Sequence, residues 1–232
     1  MHGSKLPFQH WFIAMHLITS TKKSFSAKEI QRQLGRKRYE PIWAMVHKLR
    51  SVMGLRDDEY QLKDEIELDE GFFETVSITR DKSEPLKRGR GSQCQTTVLV
   101  SVASKDEADK HNPKKHGKKK QVGYLKMKVI DSLKKDTITN AVNSSVETNT
   151  KIVSDKSTSY VDLEKDFEVE SEVILKKELP KVLPLVHTTI SNAKRLLLDV
   201  HHRIDDDFLQ RIISMNSVIN STDGMWITYS IG

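Results

Sequence analysis

The sequence predicts an α/β protein in which an N-terminal helical module precedes a mixed-sheet domain. Apolar residues recur at helical spacing through roughly the first 56 residues, and from about residue 60 they alternate with a period of two. The predicted order then becomes three strands, a helix, a strand and further helices. We therefore expect a helical module over residues 1–58 and a sheet domain over 62–210, followed by a separate tail over 211–232.

Three short helices are expected in the N-terminal module. The first, LPFQHWFIAMHLITS, has apolar residues at helical spacing, namely Phe8, Phe12 and Met15. FSAKEIQRQLG opens with a capping box, because Ser26 stands three residues before Glu29, and it ends at Gly35. Pro41 begins the third helix, whose apolar stripe is formed by Ile42, Val46, Leu49 and Met53.

A basic turn, GRKRYE, precedes the third helix and gives the module a functional interpretation. Three helices with such a turn resemble a helix-turn-helix that lays its last helix in a DNA groove, and residues 1–60 carry 11 basic against 5 acidic side chains. A generic three-helix bundle is the alternative. Tyr39 and Trp43 are expected to be core residues rather than base-stacking ones, because they fall inside a small helical bundle. The candidate DNA contacts here are Arg36, Lys37, Arg38, His47, Lys48 and Arg50.

The sheet domain is predicted from four strand candidates and two helices. IELDEGFFETV, QTTVLVSVAS and YLKMKVID alternate with a period of two, and KIVSD is a fourth, short strand that ends in Asp155. SLKKDTITNAVNSSV lies between them and suits a helix. TTISNAKRLLLDVHH is also expected to be helical, with Thr188 or Thr189 as its cap.

Composition excludes several classes of protein. Cys94 is the only cysteine, so neither an intrachain disulfide nor a cysteine-based zinc site is possible. No run approaches the length of a membrane span and no secretory signal opens the chain, so we expect a cytoplasmic protein. Residues 80–128 carry 14 basic and 5 acidic side chains, whereas 129–180 carry 7 and 11. Basic regions that flank an acidic one are expected where a polyanion is held around a cation site.

The stretch IELDEGFFE places acids at the end of an apolar alternation. A strand here would put Ile66, Leu68 and Glu70 on one face, and Glu67 and Asp69 on the other. An edge strand with solvated acids is the simplest interpretation, and it assigns these side chains no chemistry. Glu70, on the opposite pleat from Asp69, suits a structural or supporting role.

Six motifs in order resemble an insertion-sequence transposase of the DDE superfamily, from the subgroup with Asn at the third active-site position. They are SAKEIQRQLG, PIWAMVHKLRSVMG, ELDEGFFE, KRGRGSQ, KIVSDKSTSY and VHTTISNAKRLLLDVHHRI. The resemblance as a whole covers roughly residues 8–210. The resemblance implies a ribonuclease H-like catalytic domain behind the helix-turn-helix. It also implies a nucleoid-associated bacterial protein.

The same resemblance implies a catalytic set of Asp69, Asp155 and Asn192. The two aspartates would bind Mg²⁺ or Mn²⁺, which prefer hard oxygen ligands. Asn192 adds no charge and cannot act as a general base. The implied partners are terminal inverted repeats, target DNA and further copies of this chain. The implied DNA contacts in this domain are Lys87, Arg88, Arg90, Lys194 and Arg195.

Two other functions fit these motifs. The chain could be a DNA-binding remnant or repressor without chemistry, or a junction-resolving or repair nuclease with the same fold. Geometrically, Arg195 is a closer helical neighbour of Asn192 than Lys194 is. His187 could contact DNA phosphate or the metal-bound substrate, or it could cap a helix, and His201 and His202 leave the same choice open.

The C-terminal stretch RIISMNSVINSTDGMWITYSIG departs from the aromatic and basic helix that the resemblance implies. A permitted back-translation of MNSVINSTDGMW, shifted by two bases, encodes EFCYKFNRRYV, which does fit such a helix. We therefore expect a frameshift near residues 211–215, and an impaired copy of the enzyme. The helix over 205–220 is expected to pack beside the one that bears Asn192.

Overall fold

The computed structural model describes residues 3–20, 25–76, 92, 94–106, 120–155, 158–172, 182–200 and 204–220. Its helices are α1 (Phe8–Thr19), α2 (Ala27–Gln33), α3 (Glu40–Asp58), α4 (Lys135–Asn143), α5 (Pro184–Val200) and α6 (Asp206–Asn220). Its strands are β1 (Glu65–Glu74), β2 (Gln95–Asp106), β3 (Lys120–Ile130), β4 (Lys151–Asp155) and β5 (Glu168–Glu172). A 3₁₀-helix, Thr158–Lys165, lies between the last two strands.

The five strands form one mixed sheet in the order β3-β2-β1-β4-β5. Strands β1, β2 and β3 are antiparallel neighbours, whereas β1, β4 and β5 run parallel. The parallel pairing of β1 with β4 requires the chain to cross back over the sheet, and α4 lies on that crossover. This arrangement matches a ribonuclease H-like fold, so the predicted fold class of the sheet domain is confirmed.

Each face of the sheet carries its own apolar core. One core contains Phe73 of β1 with residues of α5 and α6, and we call its side of the sheet the α5 face. The other contains Leu68 of β1 with residues of α4 and the 3₁₀-helix, and we call its side the α4 face. The central strand β1 alternates between the two cores, as the period-two pattern predicted. None of the helices in the described residues is both long and apolar enough to cross a membrane.

The helical starts and stops predicted at the N-terminus are present. Ser26 Oγ accepts a hydrogen bond from Glu29 N at 3.1 Å, as a capping residue should. Gly35 follows α2 with a φ of 61°, which favours glycine. The apolar spacing correctly predicted α1, but Phe8 and Phe12 do not belong to its buried face, because they are 67% and 62% exposed. The buried face of α1 is instead formed by Trp11, Ala14 and Ile18.

The N-terminal helices share packing with the sheet domain. Leu196 of α5 belongs to the core of these helices. The ring of His47 in α3 lies 5.7 Å from that of Phe208 in α6. A Cβ placed on Gly54 would come within 3.3 Å of Ser214 Oγ, so α3 and α6 approach closely there. The break near residue 60 therefore separates helices from strands in the sequence without separating them in space.

The last two helices differ from the sequence prediction in their details. Helix α5 begins at Pro184, so Thr188 and Thr189 lie inside it and neither is its cap. Helix α6 shares the core of the α5 face, but it packs mainly on β3 and α3. Gln210 of α6 illustrates this contact, because its side chain accepts a hydrogen bond from Val129 N at 2.7 Å and donates one to Met127 O at 3.0 Å.

Candidate active site

Strand β1 distributes its acids between the two faces of the sheet. Glu67 and Asp69 point to the α5 face, whereas Glu70 points to the α4 face. The edge-strand interpretation fails, because β1 is the central strand of the sheet. Glu67, Asp69 and Glu70 are buried or half-buried rather than solvated, whereas Glu74 at the end of the strand is exposed.

Asp69 and Asp155 lie side by side on neighbouring parallel strands. Leu68 of β1 pairs with Ser154 of β4, and each aspartate is the next residue of its strand. Paired residues of parallel strands point to the same side, so both carboxylates follow the alternation onto the α5 face. The pairing of β1 with β4 therefore brings together two aspartates that are 86 positions apart in sequence.

Burial and like charge together raise the pKa of Asp69. Its pKa rises from 3.8 to about 6, chiefly because burial disfavours the charged form, and the carboxylate of Asp155 adds to this effect. A hydrogen bond from Glu70 N to Asp69 Oδ1, at 2.8 Å, acts in the opposite direction. No lysine or arginine in the described part of the chain is among the groups that lower this pKa. A cation bound next to the two carboxyl groups would thus stabilise their charged form.

His187 is the residue of α5 that reaches the carboxylate pair. Its Nε2 lies 3.6 Å from Asp69 Oδ2, and its side chain is only partly exposed. Burial lowers the pKa of His187, so its imidazole is neutral at pH 7. Sequence reasoning left this histidine between a contact with DNA phosphate or the metal-bound substrate and a helix cap. The position of His187, on the helix face that meets β1, could not be read from its local motif.

Asn192 is placed differently from His187. It is five residues further along α5 and is turned about 140° around the helix axis. Ile190 and Lys194 lie on the same face of the helix as His187, and they approach Gly71 and Phe73 of β1. Within the described residues, Asn192 makes no side-chain hydrogen bond to either aspartate. The structure therefore places His187 next to Asp69, and in the described residues it shows no contact of Asn192 with either aspartate.

On the α4 face, Glu70 faces the buried hydroxyl of Tyr160 in the 3₁₀-helix. Burial raises the pKa of Tyr160 well above its ordinary value, and the carboxylate of Glu70 raises it further. A neutral hydroxyl next to a carboxylate is a hydrogen-bond donor to it. This arrangement agrees with a supporting role for Glu70, beneath the strand that carries Asp69.

Glu67 was assigned no role from the sequence, although it is the most buried acid of β1, at 5% exposure. Its Oε2 accepts hydrogen bonds from the backbone N–H groups of Leu185 and Val186, at 2.8 and 2.9 Å. These donors belong to the first turn of α5. The alternation of the strand put Glu67 on the correct face, but its partners are 118 and 119 residues away in sequence.

The donor set suits a divalent cation. Two carboxylates supply hard oxygen ligands, and a neutral imidazole beside them can supply a nitrogen ligand. Burial is the main cause of the raised pKa of Asp69, and a bound cation would favour its charged form. Asp69 and Asp155 are the residues that would supply carboxylate ligands to Mg²⁺ or Mn²⁺, and His187, whose Nε2 lies 3.6 Å from Asp69 Oδ2, is a candidate third ligand.

A second group of acids, at the start of α6, has a structural explanation. Ligand atoms of Asp205, Asp206 and Asp207 lie within 4.8 Å of one another. Asp207 N donates to Oδ1 of both Asp205 and Asp206, at 3.1 Å in each case. Acids are favoured at a helix N-terminus by its unpaired N–H groups and its dipole. This cluster therefore accounts for the start of the helix.

The predicted DNA contacts in the basic turn lie on the surface. Gln31 is buried, and its Nε2 donates to the carbonyl oxygens of Arg36 and Lys37, at 2.9 and 3.0 Å. This side chain fixes the backbone of the turn that follows α2. The predicted DNA contacts that are exposed in this turn, on α3 and on α5 are Arg36, Lys37, Arg38, Lys48, Lys194 and Arg195. Lys87, Arg88 and Arg90 lie outside the described residues.

Two of the predicted DNA contacts, and two predicted core residues, are placed otherwise. Arg50 is only 2% exposed, because its side of α3 faces the protein interior. Burial lowers its pKa to about 10. His47 is half-buried between Trp43 and Phe208. Conversely, Tyr39 and Trp43 are surface residues, at 37% and 42% exposure, and are not core as predicted.

Comparison with known proteins gives one family and several distant structures. Residues 61–215 match the model of the DDE-type family described as "ISXO2-like transposase domain". No curated protein matches the chain. Solved structures similar to it include the Mos1 mariner paired end complex with Mn, at 11% identity and a TM-score of 0.33 over 96% of this chain and 82% of that one. The Mos1 strand transfer complex is 12% identical, with a TM-score of 0.28 over 94% and 77%.

The family match covers more than half of the chain. It includes β1, β4 and α5, the three elements that carry Asp69, Asp155 and His187. The chain belongs to the family of ISXO2-like transposase domains.

Proposed function

We propose that this protein is a transposase that cleaves DNA at the terminal inverted repeats of its element and joins the freed 3′-hydroxyl ends to target DNA. The observation that carries the proposal is the pairing of Asp69 with Asp155 on adjacent parallel strands, with His187 of α5 beside them. Such a site can act on a phosphodiester without a covalent protein intermediate.

The residues of the site have separate tasks. Divalent cations, when bound, supply activation of the attacking hydroxyl and stabilisation of the leaving oxygen. Asp69 and Asp155 hold the cations through their carboxylate oxygens. His187 is the third group in our proposal, in the place that the resemblance gave to Asn192. Its neutral Nε2 can bind a cation or accept a proton, whereas an amide offers only a weakly basic oxygen.

Basic residues outside the site provide affinity for DNA. In our proposal the turn Arg36–Arg38 and Lys48 contact the inverted repeat as part of a helix-turn-helix, while Lys87, Arg88, Arg90, Lys194 and Arg195 contact the DNA near the site. Lys194 lies on the face of α5 that carries His187, and its Nζ is 5.7 Å from the ring centre of Phe73. This places a cation along the same strand face as Asp69.

The test compares cleavage with binding. Labelled element ends are incubated with purified protein and Mn²⁺, and DNA affinity is measured separately without metal. Asp69→Asn and Asp155→Asn are expected to lower cleavage by about 10³-fold or more, because the donor set loses a charge, while DNA affinity is retained. Glu74→Gln, at an exposed position of the same strand, is the matched control.

The outcomes separate this function from the alternatives. Equal cleavage by wild type and both aspartate variants would reject the site. A chain that binds DNA but neither cleaves it nor binds Mn²⁺ by calorimetry would be a DNA-binding protein without chemistry. Preference for branched DNA over element ends would indicate a junction nuclease. Because two ends must be paired, we expect sedimentation with end DNA to show more than one copy of the chain per complex.

We also propose a change of reading frame near the C-terminus, at the end of the range 211–215 that the sequence indicates. Ile212 and Ile213 are buried in the core of the α5 face, and Ser214 accepts a hydrogen bond from Gln210. The family match also extends to residue 215. These observations favour a change that follows residue 214. The gene's nucleotide sequence tests it, because the alternative frame beyond that codon should stay open and encode the aromatic and basic helix.

A further inference from the structure

We infer that Glu67 is a positioning residue, which holds the start of α5 against β1 and so places His187 beside Asp69. This inference rests on the proposed function, because the role of Glu67 is exerted through His187. Three observations carry it: the burial of the carboxylate, the two hydrogen bonds it accepts, and the short covalent paths from those bonds to the site.

The first observation concerns what Glu67 contacts. Oε2 accepts from Leu185 N at 2.8 Å and from Val186 N at 2.9 Å, and the residue is 5% exposed. A buried carboxylate that accepts two backbone N–H groups forms charge-assisted hydrogen bonds, which are shorter and stronger than neutral ones. Its contacts with α5 are thus with the backbone, which is the part that sets where the whole helix begins.

The second observation is that Glu67 completes the first turn of α5. The first four N–H groups of a helix have no partner within it. Pro184, the first residue, has no N–H, and His187 N already bonds to Leu183 O at 3.2 Å. Leu185 and Val186 are therefore the two remaining donors, and both are satisfied by Glu67. A helix would ordinarily use its own capping residue for this purpose, whereas here the acceptor comes from the central strand.

The third observation is the distance to the site along the chain. Glu67 precedes Asp69 by two residues on the same face of β1, which is roughly 7 Å along a strand. Val186 directly precedes His187 in α5. Short stretches of backbone and the two hydrogen bonds of Glu67 therefore connect Asp69 to His187, whose Nε2 lies 3.6 Å from Asp69 Oδ2. A shift of the helix start would therefore move the backbone that carries the imidazole.

Hydrogen exchange tests the contact itself, without reference to activity. Glu67→Met removes the acceptor at similar length, whereas Glu67→Gln keeps a carbonyl oxygen that can accept. We expect peptides covering Leu185 and Val186 to exchange at least tenfold faster in the Met variant, and within about threefold of wild type in the Gln variant. Unchanged exchange in a folded Met variant would overturn the inference. Glu74→Gln is the control and should leave these peptides unchanged.

A double-mutant cycle tests the positioning role in metal-dependent cleavage. Glu67→Met is expected to lower kcat at least 30-fold with KM for DNA unchanged, and Glu67→Gln to lower it no more than about threefold. In a His187→Ala background, Glu67→Met should cost less than about threefold further. An equal loss in both backgrounds would show that Glu67 does not act through His187, and would overturn the inference.

Two further results keep this test separate from that of the proposed function. If the Met variant fails to fold, Glu67→Asp replaces it, because the shorter acid keeps its charge but cannot reach both N–H groups. Its kcat should then fall below that of Glu67→Gln, and a kcat equal to that of wild type would contradict the positioning role. If His187→Ala alone leaves kcat unchanged, the inference fails, while the aspartate variants still decide the proposed function.

Discussion

Two regions of this molecule gather charge, and they do so in opposite ways. The carboxylates of Asp69 and Asp155 are brought together in the sheet, where burial and mutual repulsion raise the pKa of Asp69 to about 6. The cations of the turn, Arg36 to Arg38, project from the surface instead, and the buried Gln31 fixes only the backbone beneath them.

The difference teaches how each region can act on DNA. Charges that share a buried environment interact strongly, so each substitution there changes the behaviour of the others. Exposed cations are solvated and screened, so they contribute separately and in a salt-dependent manner. A single substitution in the site should therefore cause a large loss of cleavage, whereas each substitution in the turn should weaken DNA binding only moderately.

After the aspartate variants, the largest expected effect distinguishes the two candidates for the third group of the site. His187→Ala should lower metal-dependent cleavage by about 100-fold or more, because it removes a group at the carboxylate pair. Asn192→Ala should lower cleavage less than about fivefold, since the amide is turned away from the pair. Single-turnover cleavage of element ends measures both variants. The reverse order would restore Asn192 and remove His187 from the site.

The next effect is on stability, and it depends on pH. The folded chain binds the proton of Asp69 more tightly than the unfolded chain does, because the pKa is raised from 3.8 to about 6. This contribution to stability is complete below about pH 4 and is lost as the pH rises through 6. Ionised Asp69 therefore destabilises the metal-free protein by about 2 to 3 kcal/mol at pH 7.5.

Asp69→Asn removes that cost and tests it. In urea unfolding with a chelator present, the variant should be more stable than wild type by about 2 kcal/mol at pH 7.5, and nearly equal to it at pH 4. Added Mn²⁺ should stabilise wild type and leave the variant unchanged. A variant that is less stable than wild type at pH 7.5 would show that ionised Asp69 does not destabilise the fold.

Smaller, additive effects are expected in the turn. Ala in place of Arg36, Lys37 or Arg38 should each weaken binding to element ends about threefold to tenfold at low salt, and lower the salt slope by about one. The triple variant should combine the three losses, because exposed charges act separately. Filter binding over a salt series measures this, with Lys165→Ala as an exposed control far along the chain. Loss of cleavage at saturating DNA would contradict the division between the two regions.

The smallest effect is expected at Arg50, which belongs to the basic region in sequence but to the interior in the structure. Arg50→Met should leave both DNA affinity and the salt slope unchanged, because the guanidinium does not reach the surface. In the described part of the chain no carboxylate pairs with it, so its replacement by an apolar residue should not lower stability. A salt slope reduced by about one would show that Arg50 becomes exposed on DNA binding.

The sequence by itself determined the features that depend on near neighbours. The capping box of Ser26 and Glu29 and the stop at Gly35 follow from local hydrogen bonds and backbone sterics. The alternation of β1 follows from the pleat, and it put Asp69 and Glu70 on opposite faces. The order of the elements was enough to predict the class of the sheet domain. The pairing of Asp69 with Asp155 came from the resemblance, and the strand register then placed them side by side.

Tertiary structure decided everything that depends on which faces meet. Strand β5, with the sequence EVESE, has almost no apolar pattern, and it is a strand because β4 offers it a parallel edge. Burial of Arg50, and exposure of Phe8 and Phe12, depend on how α1 and α3 are rotated in their bundle. His187 reaches Asp69 because α5 begins at Pro184 and rests on Glu67, a contact that spans 118 residues. The packing of the whole core stabilises such contacts, and no local pattern in the sequence predicts them.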